Sequence, residues 1–235
     1  MEPPVSRRRP GKWSVWQYHW LAHHKMIHAL ERVRDEIEGD LLDVGCGDRP
    51  FAPVLAGRVQ HYWGVDLPGS SAVDPANAPD AWALAEMVPV RGGSVDVVLA
   101  LAMLNYLPEP DFMLQEARRV LKPGGRVVIE FLAMGPPWNA PHDYWRFTRH
   151  GAELLLRRNG FEPVRCVPIG GLMGRLGLSA TDALNRINRG PLRIVTEIPV
   201  RLLYIVLHVV FEALDQVFAD ADEPISNLIV ARRIG

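Results

Sequence analysis

Near-continuous apolar runs, bounded by turn signals and separated by helical segments, constrain this chain more than any other feature. Val95 to Leu101 (VDVVLAL) and Arg126 to Leu132 (RVVIEFL) are two such runs. They read as strands buried on both faces, the kind found where helices cover a parallel sheet. Between them, Asp111 to Leu121 has the spacing of an amphipathic helix, and Lys122-Pro123-Gly124-Gly125 stops it. Leu41 to Val44 and His61 to Val65 read as two earlier strands, the second ending at Asp66, with Pro50 suited to the first turn of the helix between them. A weak third strand falls somewhere in Leu67 to Pro89. Further on come a helix through RHGAELLLRRNGF, a sixth strand at Glu162 to Val167 and a final one at Asn227 to Arg232. Trp13 to Glu38 and most of Gly170 to Asp222 read as helical. The fold class expected is α/β.

Composition narrows the function. The chain has 235 residues, enough for one large domain or a domain with an appendage. A formal net charge of −1 argues against a general nucleic-acid binder, and the basic run Arg7-Arg8-Arg9 is short. Cys46 and Cys166 are too few and too scattered for a disulfide framework or a zinc site. SRRRPGKW is followed by histidines and a lysine instead of an apolar core, so an export signal is rejected. The longest apolar run, Leu202 to Phe211, is about half the ~20 residues of a membrane span. No membrane span, a reducing compartment and a cytoplasmic location are therefore expected.

The stretch LLDVGCGDRPF, Leu41 to Phe51, supplies the first site. Glycines after a strand let backbone approach a ligand at a helix N-terminus. Gly45 and Gly47 are present, but Pro50 stands where a dinucleotide loop carries another glycine and removes an N–H. With Asp43 and Asp48 flanking the glycines, a diphosphate is poorly served. A zwitterionic amino acid attached to a nucleoside fits better. Asp66 follows Gly47 by 19 residues, the spacing of a carboxylate that accepts hydrogen bonds from both ribose hydroxyls.

LLDVGCG, YWGVD, SVDVVLALAMLNYLPEP and ARRVLKPGGRVVIEF occur in order and at the expected distances. Together they resemble a class I S-adenosylmethionine-dependent methyltransferase of the broad type-11-like group, over roughly residues 39–167. The resemblance implies a Rossmann-like seven-stranded sheet, mostly parallel with an antiparallel last strand. It implies S-adenosyl-L-methionine as cofactor, with Asp43, Gly45, Cys46 and Gly47 around the methionine and Asp66 with Leu67 at the ribose. It implies that Ala100 and Leu101 line the other side, with Asp80 and Ala81 toward adenine. This chain departs from the pattern in three places. The third glycine of the loop falls at Arg49, which either crowds the methionine end or pairs with its carboxylate. The adenine-side acid is either displaced to Asp80 or absent. The common LEH after the fourth strand reads Leu104-Asn105-Tyr106.

NAPHDYWRFTRHG, Asn139 to Gly151, is the second site, at the carboxyl edge of the sheet. It resembles the PHDYxRFT segment of a methyltransferase subgroup associated with surface-glycan or other secondary biosynthesis. Histidine is the residue type suited to a general base near neutral pH, which makes His142 a candidate, and Asp143 either orients it or acts as base itself. Tyr144 and Trp145 offer an aromatic wall and Arg146 a clamp for an anionic group. In the structural reading, Asp143 and Arg146 simply pair to fix the loop while Trp145 and Phe147 fill core.

His19 and His23, like His24 and His28, share a helix face, but no third ligand matches, and no metal is expected. Residues 1–38 are read as a tail and lid helix, 39–168 with 225–235 as the methyltransferase core, and 169–224 as a helical insertion. The insertion reads first as packing or substrate cover, second as a homodimer contact, and last as a membrane-resting element. The function expected is methyl transfer, at oxygen, to a small-molecule or saccharide-like acceptor. The alternatives are a non-catalytic S-adenosylmethionine-binding module and an NAD-dependent oxidoreductase.

Overall fold

The structure, a computed structural model, describes residues 14–17, 19–68, 77–188, 193–218, 220 and 222–235. Arg7 to Arg9, Trp13, Tyr18 and residues 69–76 lie outside them. Seven strands form one sheet: β1 (Gly39–Val44), β2 (Val59–Asp66), β3 (Ala81–Trp82), β4 (Val95–Ala100), β5 (Leu121–Leu132), β6 (Phe161–Ile169) and β7 (Ser226–Arg233). Their order is β3-β2-β1-β4-β5-β7-β6, so the last strand in sequence inserts between β5 and β6. Pairing is parallel from β3 through β5, and the sheet turns antiparallel at its end, which makes this the Rossmann-like methyltransferase fold.

Burial explains the strand assignments. Leu42, Val98, Val127 and Ile229 have no solvent exposure, because sheet neighbours flank them and helices cover them. The helices are α1 (Trp20–Val33), α2 (Ala52–Leu55), α3 (Pro110–Val120), α4 (Arg149–Arg158), α5 (Leu172–Ile187) and α6 (Arg193–Val217). Met113, Leu114 and Ala117 of α3 and Ala152, Leu155 and Leu156 of α4 complete the same core. Thr148 caps α4 through a hydrogen bond from the Gly151 N–H, 3.1 Å.

Two elements differ from the sequence expectation, while the weak third strand expected within Leu67 to Pro89 is the two-residue β3. The helix after β1 is a single turn whose early proline is Pro53; Pro50 lies before it. Lys122 to Gly125 does not separate α3 from β5: Leu121 already pairs with Val95, and the next pair is Arg126 with Val97. The four intervening residues are accommodated as an irregularity within the strand.

The chain divides into two compact units. One comprises Leu30–Val167 with Asn227–Gly235, and the other the described residues of Trp13–Ala29 with Pro168–Ser226. In the second, Lys25 is buried between Glu212 and Asp215, 2.7 Å from each. Asp215 also accepts the N–H groups of Gly171 and Gly174 and so satisfies the start of α5. A Cβ at Gly177 would stand 2.6 Å from Phe211 Cβ, so this glycine sets the approach of α5 to α6. Burial lowers both His19 and His23 to about 4 and keeps them neutral. Among the described residues no helix is long and apolar enough to cross a membrane.

Gly64 shows how tightly the first unit is built. A Cβ there would lie 2.6 Å from Cys46 Sγ and 2.9 Å from Arg49 Nε. Gly64→Ala is predicted to destabilise the fold by about 1–3 kcal/mol through overpacking, read as a lower denaturation midpoint with an unchanged slope.

Candidate active site

Parallel pairing brings the carboxyl ends of β1, β2, β4 and β5 to one edge of the sheet, where open α/β folds bind ligands. The chain leaving β1 turns sharply there. Gly45 and Gly47 have φ of 76° and 49°, and the N–H groups of Gly45 and Cys46 both donate to the Val65 carbonyl, at 2.9 and 3.1 Å. A Cβ on Gly47 would meet nothing within 4 Å, so the outer surface of the turn is open. Asp66, at the end of β2, faces back toward this turn. Its Oδ2 accepts the Gly47 N–H and its Oδ1 the Leu67 N–H, each at 2.6 Å. Asp66 and the glycines, far apart in sequence, are thus in direct contact.

Beneath the turn lies a network that no sequence signal announced. Asp43 accepts a hydrogen bond from the Tyr62 hydroxyl on the neighbouring strand. Burial pushes Asp43 up to about 7, against the lowering effect of Tyr62 and Arg49. Burial, reinforced by Asp43, raises Tyr62 in turn. Cys46 is pushed up to about 12 by burial and by Asp43 and Asp66, and so stays a thiol. Arg49 does not crowd the turn. Its Nη2 donates to the Ala78 carbonyl at 2.9 Å and to Asp80 Oδ2 at 2.7 Å. Asp80 also accepts the Gly64 N–H at 2.8 Å, and Ala81 pairs with Val65 at the start of β3.

At the end of β4, Ala100 and Leu101 are buried and Ala102 adopts a φ of 51°. Glu130 of β5 accepts the Ala102 N–H at 2.9 Å, and Met103 packs against Gly45. The departure Leu104-Asn105-Tyr106 is a 3₁₀ turn with Asn105 buried. Asn105 Nδ2 donates to Asp143 at 3.1 Å, and its carbonyl accepts the Tyr144 N–H at 2.9 Å. This residue therefore ties the β4 end to the loop after β5. A polar residue replacing a familiar one was its only sequence signal.

In that loop, Asp143 and Arg146 pair with each other. Arg146 reaches both oxygens of Asp143, at 2.6 and 2.9 Å, and also donates to the carbonyls of Gly135 and Pro136. Asp143 accepts the Trp138 N–H as well, at 2.8 Å. The Arg146 guanidinium, with these further donors, holds the Asp143 carboxylate well below the usual range. Phe147 is buried edge-on against Phe131, whereas Trp145 is 41% exposed, stacked on the outer side of Phe147 and anchored by Nε1, which donates to the Leu107 carbonyl. Filling core thus falls to Phe147. His142 is exposed, with Nδ1 3.1 Å from the Tyr144 hydroxyl.

A parallel sheet with a glycine turn after its first strand and a carboxylate ending its second is an arrangement shared by nucleoside-binding α/β folds. A family model described as a methyltransferase domain matches residues 42–129. A ubiquinone biosynthesis O-methyltransferase of Pseudomonas paraeruginosa is 30% identical over 177 residues, covering 65% of this chain and 72% of that protein. The chain belongs to the class I S-adenosylmethionine-dependent methyltransferases and is an enzyme of that class. This family excludes the oxidoreductase alternative. Among solved structures, a Haemonchus contortus phosphoethanolamine N-methyltransferase 2 in complex with S-adenosyl-L-methionine aligns with a TM-score of 0.59 and 18% identity. That alignment covers 94% of this chain but only 57% of the nematode protein. The [4+2]-cyclase SpnF aligns with a TM-score of 0.56 and 20% identity over 97% of this chain and 86% of that one. Both share the fold, and the second shows that the fold alone does not name the reaction.

Asp43 generates a test. A carboxyl raised from 3.8 to about 7 in the folded state holds an extra proton between those values. Its contribution to stability is therefore complete below about pH 4 and lost as pH rises through about 7. Asp43→Asn, which keeps an acceptor for Tyr62, is predicted to match wild type near pH 5 and to exceed it by about 1–3 kcal/mol at pH 8.5. Chemical denaturation of the protein at both pH values measures this.

Proposed function

We propose that the protein methylates an oxygen of a small-molecule acceptor, with the cofactor seated at the carboxyl edge of β1, β2 and β4. The observation that carries this reading is Asp66, whose carboxylate closes β2 while accepting the Gly47 N–H. Each carboxylate oxygen has a second lone pair, suited to one of two vicinal ribose hydroxyls. The open outer surface at Gly47 and the buried Asp43 below it suit a methionine moiety, the acid facing its ammonium. Leu67 flanks the ribose, Ala100 and Leu101 close the other side, and Asp80 with Ala81 stands toward adenine.

When bound, S-adenosyl-L-methionine supplies an electrophilic methyl on a sulfonium. The protein then has to align the acceptor oxygen and remove its proton. His142 is the base. With Nδ1–H donating to the Tyr144 oxygen, Nε2 presents its lone pair to the acceptor hydroxyl. Asp143 is too fully hydrogen-bonded to take that proton, and with Arg146 it holds the loop that carries His142 and Tyr144. The relatives named as ubiquinone biosynthesis O-methyltransferases support oxygen as the methylated atom and a small molecule as the acceptor.

The homodimer reading of the insertion finds support on α6, whose exposed face is more apolar than its buried one. Tyr204, His208 and Asp215 are buried, while Ile198, Leu202, Val206, Val209 and Val217 are exposed. With the exposed Ala213, these positions are symmetric about the Leu207–His208 peptide. An antiparallel copy would place each apolar residue opposite another, the self-complementarity that a two-fold contact needs. Val206→Glu is predicted to shift sedimentation equilibrium toward monomer, whereas a monomeric wild type refutes the contact.

Two substitutions separate binding from chemistry. Asp66→Ala is predicted to weaken calorimetric binding of S-adenosylhomocysteine at least tenfold, about 1.4 kcal/mol. His142→Ala is predicted to leave that binding unchanged and to lower kcat about 10²–10⁴-fold on whichever phenol, carboxylic acid or sugar hydroxyl a panel identifies. Cofactor binding by wild type without methyl transfer to any panel member would instead favour a non-catalytic module.

A further inference from the structure

Arg49 stands where the resembled loop carries its third glycine, and its backbone shows why glycine is usual there. Its φ is 53°, in the left-handed region that costs a residue bearing a Cβ. Such conformations persist where surrounding contacts over-determine them. Both the backbone and the end of the side chain of Arg49 are so held. The backbone N–H donates to the Cys46 carbonyl at 2.8 Å, and the Arg49 carbonyl accepts the Ala52 N–H at 3.2 Å. The guanidinium reaches Ala78 and Asp80 and lies 5.6 Å from the centre of the Tyr62 ring. Gly64 leaves the room for this, since a Cβ there would stand 2.9 Å from Arg49 Nε. The same glycine donates its N–H to the Asp80 oxygen that Arg49 grips.

We propose that Arg49 is a positioning residue for the cofactor: a strut from the turn after β1 to the segment Ala78–Asp80, aligning the methionine and adenine ends of one site. The inference rests on the assignment of that turn to the cofactor. A glycine at position 49 would form the same turn without strain but would leave its position relative to Asp80 unspecified. The arginine exchanges local backbone ease for a long-range tether. Asp80 is then half of that tether, and the Tyr62 hydroxyl, bonded to Asp43 while its ring lies under the guanidinium, links the tether to the floor of the turn. Arg is better suited to this role than Lys, because its planar guanidinium lies over the Tyr62 ring while Nη2 donates to both the Ala78 carbonyl and the Asp80 carboxylate.

The experiment compares Arg49→Gly, Arg49→Lys, Asp80→Asn and the Arg49→Gly/Asp80→Asn double variant. Calorimetry with S-adenosylhomocysteine and thermal unfolding are measured on each. Arg49→Gly is expected to weaken binding at least tenfold while its Tm stays within a few degrees of wild type. Arg49→Lys is expected to recover part of that loss. Asp80→Asn is expected to weaken binding several-fold, and the double variant to be no weaker than Arg49→Gly alone, since both remove one tether. In turnover, KM for S-adenosyl-L-methionine should rise with kcat little changed. Hydrogen exchange supplies a readout independent of Arg49→Gly folding: bound S-adenosylhomocysteine should protect residues 78–83 in wild type and less in Asp80→Asn. Binding by Arg49→Gly as tight as wild type overturns the strut, as do losses that multiply in the double variant. Failure of wild type to bind S-adenosylhomocysteine overturns the cofactor assignment itself, and the strut with it. Retained binding that Asp66→Ala abolishes but Arg49→Gly does not overturns the strut alone.

Discussion

Two amides sharing one carbonyl organise this enzyme. The N–H groups of Gly45 and Cys46 both reach the Val65 oxygen, which forces the chain to reverse directly over the neighbouring strand. That reversal can be made only where β1 and β2 run parallel and in register, with Val44 beside Val65. It sets the Gly47 N–H against Asp66 and Cys46 against Gly64, and it places Arg49 within reach of Asp80. This one turn decides which backbone donors and which carboxylates come together at the edge of the sheet.

The site holds an unusual density of acid for so small a volume. Asp43, Asp66 and Asp80 converge there, and the Arg49 charge acts on Asp43 and pairs with Asp80. Their environments divide them. Asp43 is buried and raised to about 7, Asp66 is bonded by backbone donors on its inner side, and Asp80 is half-exposed and ion-paired. Three chemically identical side chains thus sit in three different environments, set by solvation and partners.

Across the edge, the loop after β5 follows a similar division. Asp143 and Arg146 spend their hydrogen-bonding capacity on one another and on backbone carbonyls and amides, and Asn105 locks this pair to the end of β4. A buried polar pair satisfied in this way specifies a loop conformation at little gain in stability. His142, Tyr144 and Trp145 are left exposed on a rigid frame, which is the arrangement a substrate-facing surface requires.

The amino-acid sequence by itself determined the α/β class, the strands at Leu41, His61, Val95 and Arg126, and the pairing of the glycine turn with Asp66, because apolar periodicity and strand-end spacing are local properties. It also marked position 49 as a departure and 142–147 as a chemically dense loop. It left open whether Asp143 and Arg146 face a substrate or each other, since a composition cannot say which polar groups find partners. It carried no sign of Tyr62 beneath Asp43, of Asn105 bridging two loops, or of the arginine reaching Asp80, which follows it by 31 residues. Those contacts exist only once strands lie side by side, so tertiary structure alone decided them. The same holds for the protonation of Asp43: its neighbours in the chain are ordinary, and burial by the rest of the fold is what moves it.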